Sequence, residues 1–308
     1  MALYDNILET IGNTPMVRLK KIEKLYELKV KLYAKLESFN PANNVKVRPA
    51  YQMIKDLYDD STIDSSYTII EATSGNTGIG LAMVGAYFGN KVIITMPSSV
   101  SKERADVLKH YGAKVILTEA EKGITGANEL ADELLKKIDK SIKPSQFQNP
   151  SNPKSHFLTT AKEIYQDLPI VDYIFSTIGT GGTITGIAQY VKANNKNTKI
   201  IGIEPASSPL ITKGYTGKHK IQGIAPGFIP EILNLDLIDE FITVSDEDSY
   251  KMTKSLPQVE GISIGISSGA CLISAINYIK ENNLKNNESI VLIFPDSGEK
   301  YFSTEVFN

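Results

Sequence analysis

The chain has 308 residues, 42% of them hydrophobic, enough for a buried core and, by length, for about two domains. Lys and Arg total 33 against 35 Asp and Glu, a formal charge of −2 that offers no electrostatic footprint for nucleic acid or for an acidic membrane surface. One cysteine, Cys271, excludes an internal disulfide framework, and the three histidines, His110, His156 and His219, lie too far apart in sequence for a zinc-ligand spacing, so no metal is expected.

The N-terminal "MALYDNILETIGNTP" has neither a basic n-region nor a long apolar run, and no segment reaches the about 18 uninterrupted apolar residues of a membrane span. A cytoplasmic protein acting on a small molecule is expected. "FNPANNVKVRPAYQMI" (39–54) begins as an Asn- and Pro-rich turn and continues as a helix, with Lys46 at the join. A helix N-terminus is partly positive and disfavours a cation, so an amine placed there leans toward its neutral, nucleophilic form. From residue 67 onward, short β-branched runs alternate with amphipathic stretches: "YTIIEA" and "GLAMVGAYFG", "KVIITMP" and "SKERADVLKHYG", "AKVILTEA" and "GANELADELLKKI". After a polar, proline-bearing hinge near 143–154 the rhythm resumes with "VDYIFSTIG", "GIAQYVKAN", "TKIIGIEP", "GACLISAINYIKENN" and "SIVLIFP". It predicts an α/β fold of two open, twisted, mostly parallel sheets with helices on both faces.

Ligands of such sheets gather beyond the carboxyl ends of strands, which directs attention to two glycine-rich loops. "IGTGGTITG" (178–186) resembles a dinucleotide fingerprint, and Glu204 even supplies an acid downstream, but Ile184 stands where the third glycine belongs and no Gly-Lys-Ser/Thr follows. Its glycines with the hydroxyls of Thr180 and Thr183 suit a single monophosphate. "EATSGNTGIG" (71–80) offers the neutral donors Thr73, Ser74, Asn76 and Thr77 and no cation, which suits a carboxylate; the same residues could equally be plain helix caps. A lysine at a helix start, a monophosphate cradle and a carboxylate cradle together point to pyridoxal 5'-phosphate, whose aldehyde reacts with an amine and whose ring accepts carbanion electrons.

With "IGNTPMVRL", "KLESFNP", "VKVR", "TSGNTGIGLA", "QFQNPSNPKSH", "GTGGTITG", "HKIQGI", "GFIP", "GISSGA" and "SGEKYFST", the chain resembles, nearly end to end, the cysteine synthases (O-acetylserine sulfhydrylases) and cystathionine β-synthases, pyridoxal-phosphate enzymes of fold type II. The resemblance implies a tryptophan synthase β-like architecture, with a larger phosphate-binding domain (1–38 and 150–308) and a smaller mobile one (39–149), and a homodimer. It implies that Lys46 forms the Schiff base and acts as general base, that Asn76 bonds the ring hydroxyl, and that Gly179, Thr180, Gly181, Gly182 and Thr183 hold the phosphate. Ser267 would meet the pyridine nitrogen, with Asp296 a competitor for that place, and Thr73, Ser74, Asn76, Thr77 and Gln146 would receive the substrate carboxylate.

The activity implied is β-replacement on an L-serine or L-cysteine derivative through an α-aminoacrylate, in the first instance O-acetylserine and sulfide to L-cysteine. The chain departs from the family at Asn43, Asn44 and Val47 around the lysine, and at Ala225, Pro226 and Gly227 after "QGI". If Asn43 and Asn44 turn their amides to a second polar ligand, the donor would be cysteine, with sulfide released and lanthionine or serine formed. Two other classes stay open: a non-catalytic cofactor or amino-acid sensor, and a nicotinamide dehydrogenase, which Ile184 disfavours.

Overall fold

The computed structural model describes residues 3–307 apart from Ser74, Ser101, Asn286 and the side chain of Glu103. Its strands are β1 (Met16–Arg18), β2 (Lys31–Leu36), β3 (Thr68–Ala72), β4 (Lys91–Pro97), β5 (Lys114–Thr118), β6 (Ser141–Ile142), β7 (Tyr173–Thr177), β8 (Lys199–Pro205), β9 (Glu240–Val244) and β10 (Ser289–Phe294). Its helices are α1 (Lys20–Leu25), α2 (Val47–Asp59), α3 (Asn76–Phe88), α4 (Lys102–His110), α5 (Gly123–Lys137), α6 (Ser151–Leu158), α7 (Thr160–Asp167), α8 (Gly182–Ala193), α9 (Leu210–Lys213), α10 (Asp246–Glu260) and α11 (Ile266–Glu281).

Two compact units result, Met1–Ile11 with Lys46–Asn152, and Gly12–Val45 with Pro153–Asn308. These bounds depart from the expected 1–38, 39–149 and 150–308. The Asn-Asn turn stays with the larger unit because Val45 N–H donates to the Pro295 carbonyl at 2.8 Å and Asn44 bridges to Asp296. Lys46, one residue on, opens the smaller unit, where its carbonyl accepts from Ala50 N–H at 3.0 Å in the first turn of α2.

The smaller unit holds a parallel sheet in the order β5-β4-β3-β6. β3 is buried throughout, the unalternating pattern of a strand covered on both faces. Ile70, Ala72 and Ile93 pack on Ala127 and Ala131 of α5. The helix pair α2 and α3 is joined at Gly80, where a Cβ would stand 2.9 Å from Ala50 Cβ and 3.1 Å from the Lys46 carbonyl oxygen. A side chain there would force apart the two helix starts that carry Lys46 and the asparagine loop.

The larger unit holds a sheet in the order β1-β2-β10-β7-β8-β9, parallel except for the antiparallel edge strand β1. The two-residue side-chain period splits β10 between its faces. Ile290, Leu292 and Phe294 join Ala270, Cys271 and Ala275 of α11, while Val291 and Ile293 join Ile184, Ile187 and Val191 of α8. The "IGNTP" and "KLESFNP" segments are knitted by buried polar groups. Thr14 Oγ1 donates to Glu37 at 2.7 Å, Lys35 Nζ donates to the Thr14 carbonyl at 2.6 Å and pairs with Glu163 at 2.8 Å, and Gly12 N–H donates to Asn40 Oδ1 at 2.9 Å.

Among the described residues no helix is long and apolar enough to cross a membrane, and no group of three or more His, Cys, Asp or Glu is placed to hold a metal.

Candidate active site

In the smaller unit Lys46 is the N-cap residue of α2, half-buried, at the join where the sequence reading expects it. The loop after β3 leads into α3, whose first residue is Asn76. Thr73 and Thr77 are buried and Asn76 half-buried; Ser74 lies outside the described residues. Thr77 Oγ1 donates to Gln146 Oε1 at 2.6 Å, so residues 69 positions apart in sequence are brought together at the helix N-terminus.

Gln146 is held from behind by residues that the sequence reading passed over. Asn152 Nδ2 donates to the Gln146 carbonyl at 2.8 Å, and the buried Glu71 accepts from Ser145 N–H at 2.8 Å. Asn152 lies in the stretch read as a hinge and Glu71 in a strand, so neither position stood out.

In the larger unit the loop Gly179–Thr183 runs from the carboxyl end of β7 into α8. A Cβ on Gly179 would stand 2.4 Å from the Gly223 carbonyl oxygen, and Gly181 has φ +81° with Leu233 Cβ 2.7 Å from where its own Cβ would be. Only glycine lets these backbones approach so closely at the start of a helix, and Gly182 N–H donates to Thr180 Oγ1 at 3.3 Å within the loop. Thr180 and Thr183 are buried. Thr183 Oγ1 lies 3.2 Å from His156 Nε2, and His156 Nδ1 lies 2.9 Å from Thr160 Oγ1. In the sequence His156 stands only as an isolated histidine.

Ser267 is buried in the first turn of α11. Asp296, its competitor by sequence, is also buried, but its Oδ2 accepts from Tyr301 O–H at 2.8 Å and its backbone carbonyl accepts from Gly265 N–H at 3.1 Å, an engagement that fastens the turn before α11. Glu204, the acid that completed the dinucleotide likeness, accepts from Ile211 N–H at 3.0 Å and from Thr212 N–H at 2.8 Å and so serves as an anchor for α9. Cys271 is fully buried in the core of the larger unit, and burial pushes its thiol up to about 12, which removes it as a nucleophile.

The departures around the lysine have local explanations. Asn44 is buried, and its Nδ2 donates to the Ala42 carbonyl at 2.6 Å; Asn43 has φ +53°, a conformation that asparagine tolerates better than most residues. Asn44 therefore spends its amide inside the turn, contrary to the expectation that it faces a second ligand. Ala225 has φ +47° where the family places glycine. Ala225→Gly should accordingly raise stability by about 0.5–1 kcal/mol, the relief of a left-handed alanine less the entropy of a freer unfolded chain. Chemical denaturation of the two proteins reads this directly, and an unchanged or lowered midpoint would contradict it.

A model of the pyridoxal-phosphate-dependent enzymes matches residues 7–296. The chain is 43% identical to cysteine synthase B of Campylobacter jejuni over 308 residues, covering 100% of both chains. The chain belongs to the cysteine synthase family of pyridoxal-phosphate enzymes. Among solved structures, O-acetyl serine sulfhydrylase isoform 3 of Entamoeba histolytica superposes with a TM-score of 0.95 at 38% identity, over 99% of this chain and 92% of that one. A hydrogen sulfide-producing enzyme of Fusobacterium nucleatum superposes with a TM-score of 0.92 at 42% identity, over 97% of this chain and 100% of that one.

As a family member the protein is a fold type II enzyme with pyridoxal phosphate as its cofactor. The residues fit that group. The Gly179–Thr183 turn has the backbone approach, the hydroxyls and the helix start that a monophosphate needs, and no basic side chain is part of it.

Proposed function

We propose that the protein catalyses β-replacement on an L-serine derivative, O-acetyl-L-serine with sulfide giving L-cysteine, as a cytoplasmic homodimer. The observation that carries the substrate class is the Thr77–Gln146 pair at the start of α3, where the Thr77 hydroxyl, which donates to Gln146 Oε1 at 2.6 Å, would turn to an amino-acid carboxylate that the partly positive helix end also favours.

Lys46 would hold the cofactor through its amine, and the same Nζ, once free, would take the α-proton of the substrate. The cofactor supplies the electron sink for the carbanion. Gly179, Thr180, Gly181, Gly182 and Thr183 would bind its phosphate, Asn76 would orient the ring through its hydroxyl, and Ser267 would meet the ring nitrogen. Ser267 carries no charge to keep that nitrogen protonated, which favours loss of the β-substituent over reactions needing a deeper sink. Thr73, Ser74, Asn76, Thr77 and Gln146 receive the carboxylate.

The likeness to the hydrogen sulfide-producing enzyme supports a second reading, in which L-cysteine is the donor and sulfide leaves while a second cysteine or water attacks. The local role of Asn44 in its turn removes one argument for it. The deciding assay supplies L-cysteine alone, follows sulfide and identifies the amino-acid product by mass. Fast cysteine formation from O-acetyl-L-serine and sulfide, with no sulfide from cysteine, upholds the first reading; rapid sulfide release from cysteine replaces it with the second.

Thr77→Ala tests the clamp itself. Removing a hydrogen bond to a charged group costs about 1.5–3 kcal/mol, so KM for O-acetyl-L-serine should rise about 10- to 150-fold while the cofactor stays bound. A variant with unaltered KM would remove Thr77 from the carboxylate site.

A further inference from the structure

Glu71 lies near the carboxyl end of β3, two residues before Thr73, with 2% of its surface exposed. An acid so deeply buried needs strong partners to stay there. Its Oε2 accepts from Ser145 N–H at 2.8 Å, and the backbone N–H of Gln146 bonds to the same carboxylate. Ser145 has φ +57°, a left-handed conformation that serine does not favour by itself. The carboxylate thus braces an unfavourable turn at the residue before Gln146, whose side chain meets Thr77 at 2.6 Å. A carboxylate accepts from two N–H groups at once without needing to donate, which is the arrangement this turn presents.

We infer that Glu71 is a positioning residue for substrate: its carboxylate holds the Ser145–Gln146 turn so that Gln146 and Thr77 receive an amino-acid carboxylate together, and protonation of Glu71 loosens that hold. This rests on the reading of Thr77 and Gln146 as the carboxylate clamp.

Among the described residues, the charged groups acting on Glu71 are Lys143, just before the turn, and Asp132 on α5, which are paired with each other at 2.8 Å. Burial outweighs both and the backbone hydrogen bonds, and raises the Glu71 carboxyl from 4.5 to about 7. The direction of two pH effects follows. Because the folded protein holds this proton more tightly than the unfolded chain, Glu71 makes stability fall as pH rises from 4.5 to about 7. Amino-acid affinity changes the other way, rising as the carboxylate forms. A group that merely stabilised the fold would move both together.

The test titrates the holoenzyme with L-serine, follows the visible absorbance of the cofactor, and compares wild type with Glu71→Gln at pH 6 and pH 8. The ratio of the two dissociation constants cancels the ionisation of serine itself. That ratio should be about ten at pH 8, the loss of one good hydrogen-bonded brace, and fall to within about twofold of unity at pH 6, where both side chains are neutral. A ratio within twofold at pH 8, or an equal ratio at both pH values, overturns the inference.

Should Glu71→Gln fail to fold, Ser145→Gly answers the same question. Glycine accepts the left-handed turn unaided, so the wild-type difference in serine affinity between pH 6 and pH 8 should shrink, and an undiminished difference overturns the inference. Thr77→Ala is run alongside. If it leaves serine affinity unchanged, the clamp reading itself fails; if it weakens serine while Glu71→Gln does not, only the role of Glu71 falls.

Discussion

Lys46→Ala is expected to lower turnover by about three orders of magnitude or more, because in the role proposed for it the lysine supplies both the covalent link to the cofactor and a general base that by itself contributes about 10²- to 10⁴-fold. The lysine stands at the N-terminus of α2. It caps α2 without a side-chain bond to the helix, and its backbone is pinned against α3 by the absence of a side chain on Gly80. The variant should fold, since Lys46 is half-buried at a helix start and not part of the apolar core. It should still take up pyridoxal phosphate, because the phosphate loop belongs to the other unit and is untouched. Borohydride followed by mass spectrometry should then label wild type at Lys46 and leave the variant unlabelled. Turnover within tenfold of wild type, or labelling at another lysine, would refute the assignment.

The sheets of both units were readable because their central strands are short β-branched runs bounded by turn residues. β3, β4, β7, β8 and β10 all lie within the segments that periodicity marked. β2 was not marked. In "KLYAKL" the core positions Leu32, Ala34 and Leu36 alternate with Lys31, Tyr33 and Lys35, and Lys35 is itself buried through its ion pair with Glu163, a long-range partner that no local pattern reveals. α10 was missed because "DEDSYKMTKSLPQVE" is polar and contains Pro257, although Ser245 caps it by accepting from Asp248 N–H at 3.0 Å. The expected hinge near 143–154 contains the boundary between the two units, after Asn152, and is in part helix. Pro153 stands in the first turn of α6, where its missing N–H has no partner to lose, so a residue read as a breaker instead helps a helix to start.

The site divides along the same line. Residues next to each other in sequence, such as Thr73 to Thr77 and Gly179 to Thr183, could be proposed from spacing and donor chemistry. Residues that act from behind could not. His156 reaches Thr183 from 27 positions away and Glu71 reaches Ser145 from 74, and both look like ordinary interior polar groups until the fold brings their partners to them.

Gly179→Ala should cost the protein its hold on the cofactor. The added methyl carbon would lie 2.4 Å from the Gly223 carbonyl oxygen, far inside contact distance, and that oxygen belongs to backbone that cannot rotate away as a side chain would. The two segments are also tied together, since Ala225 N–H donates to the Ile178 carbonyl at 2.9 Å. Relief therefore requires the phosphate loop to move bodily, which turns its N–H groups off the positions a phosphate needs. Overpacking of this kind costs about 1–3 kcal/mol, equivalent to about a 5- to 150-fold weaker affinity if it falls on the cofactor-binding geometry. Titration of apoenzyme with pyridoxal phosphate measures the affinity, and pyridoxal, which lacks the phosphate, separates the causes. A displaced phosphate cradle weakens the phosphorylated cofactor much more than pyridoxal, whereas general misfolding weakens both alike. Pyridoxal-phosphate affinity within twofold of wild type would show that the loop yields without consequence and that Gly179 does not shape the phosphate site.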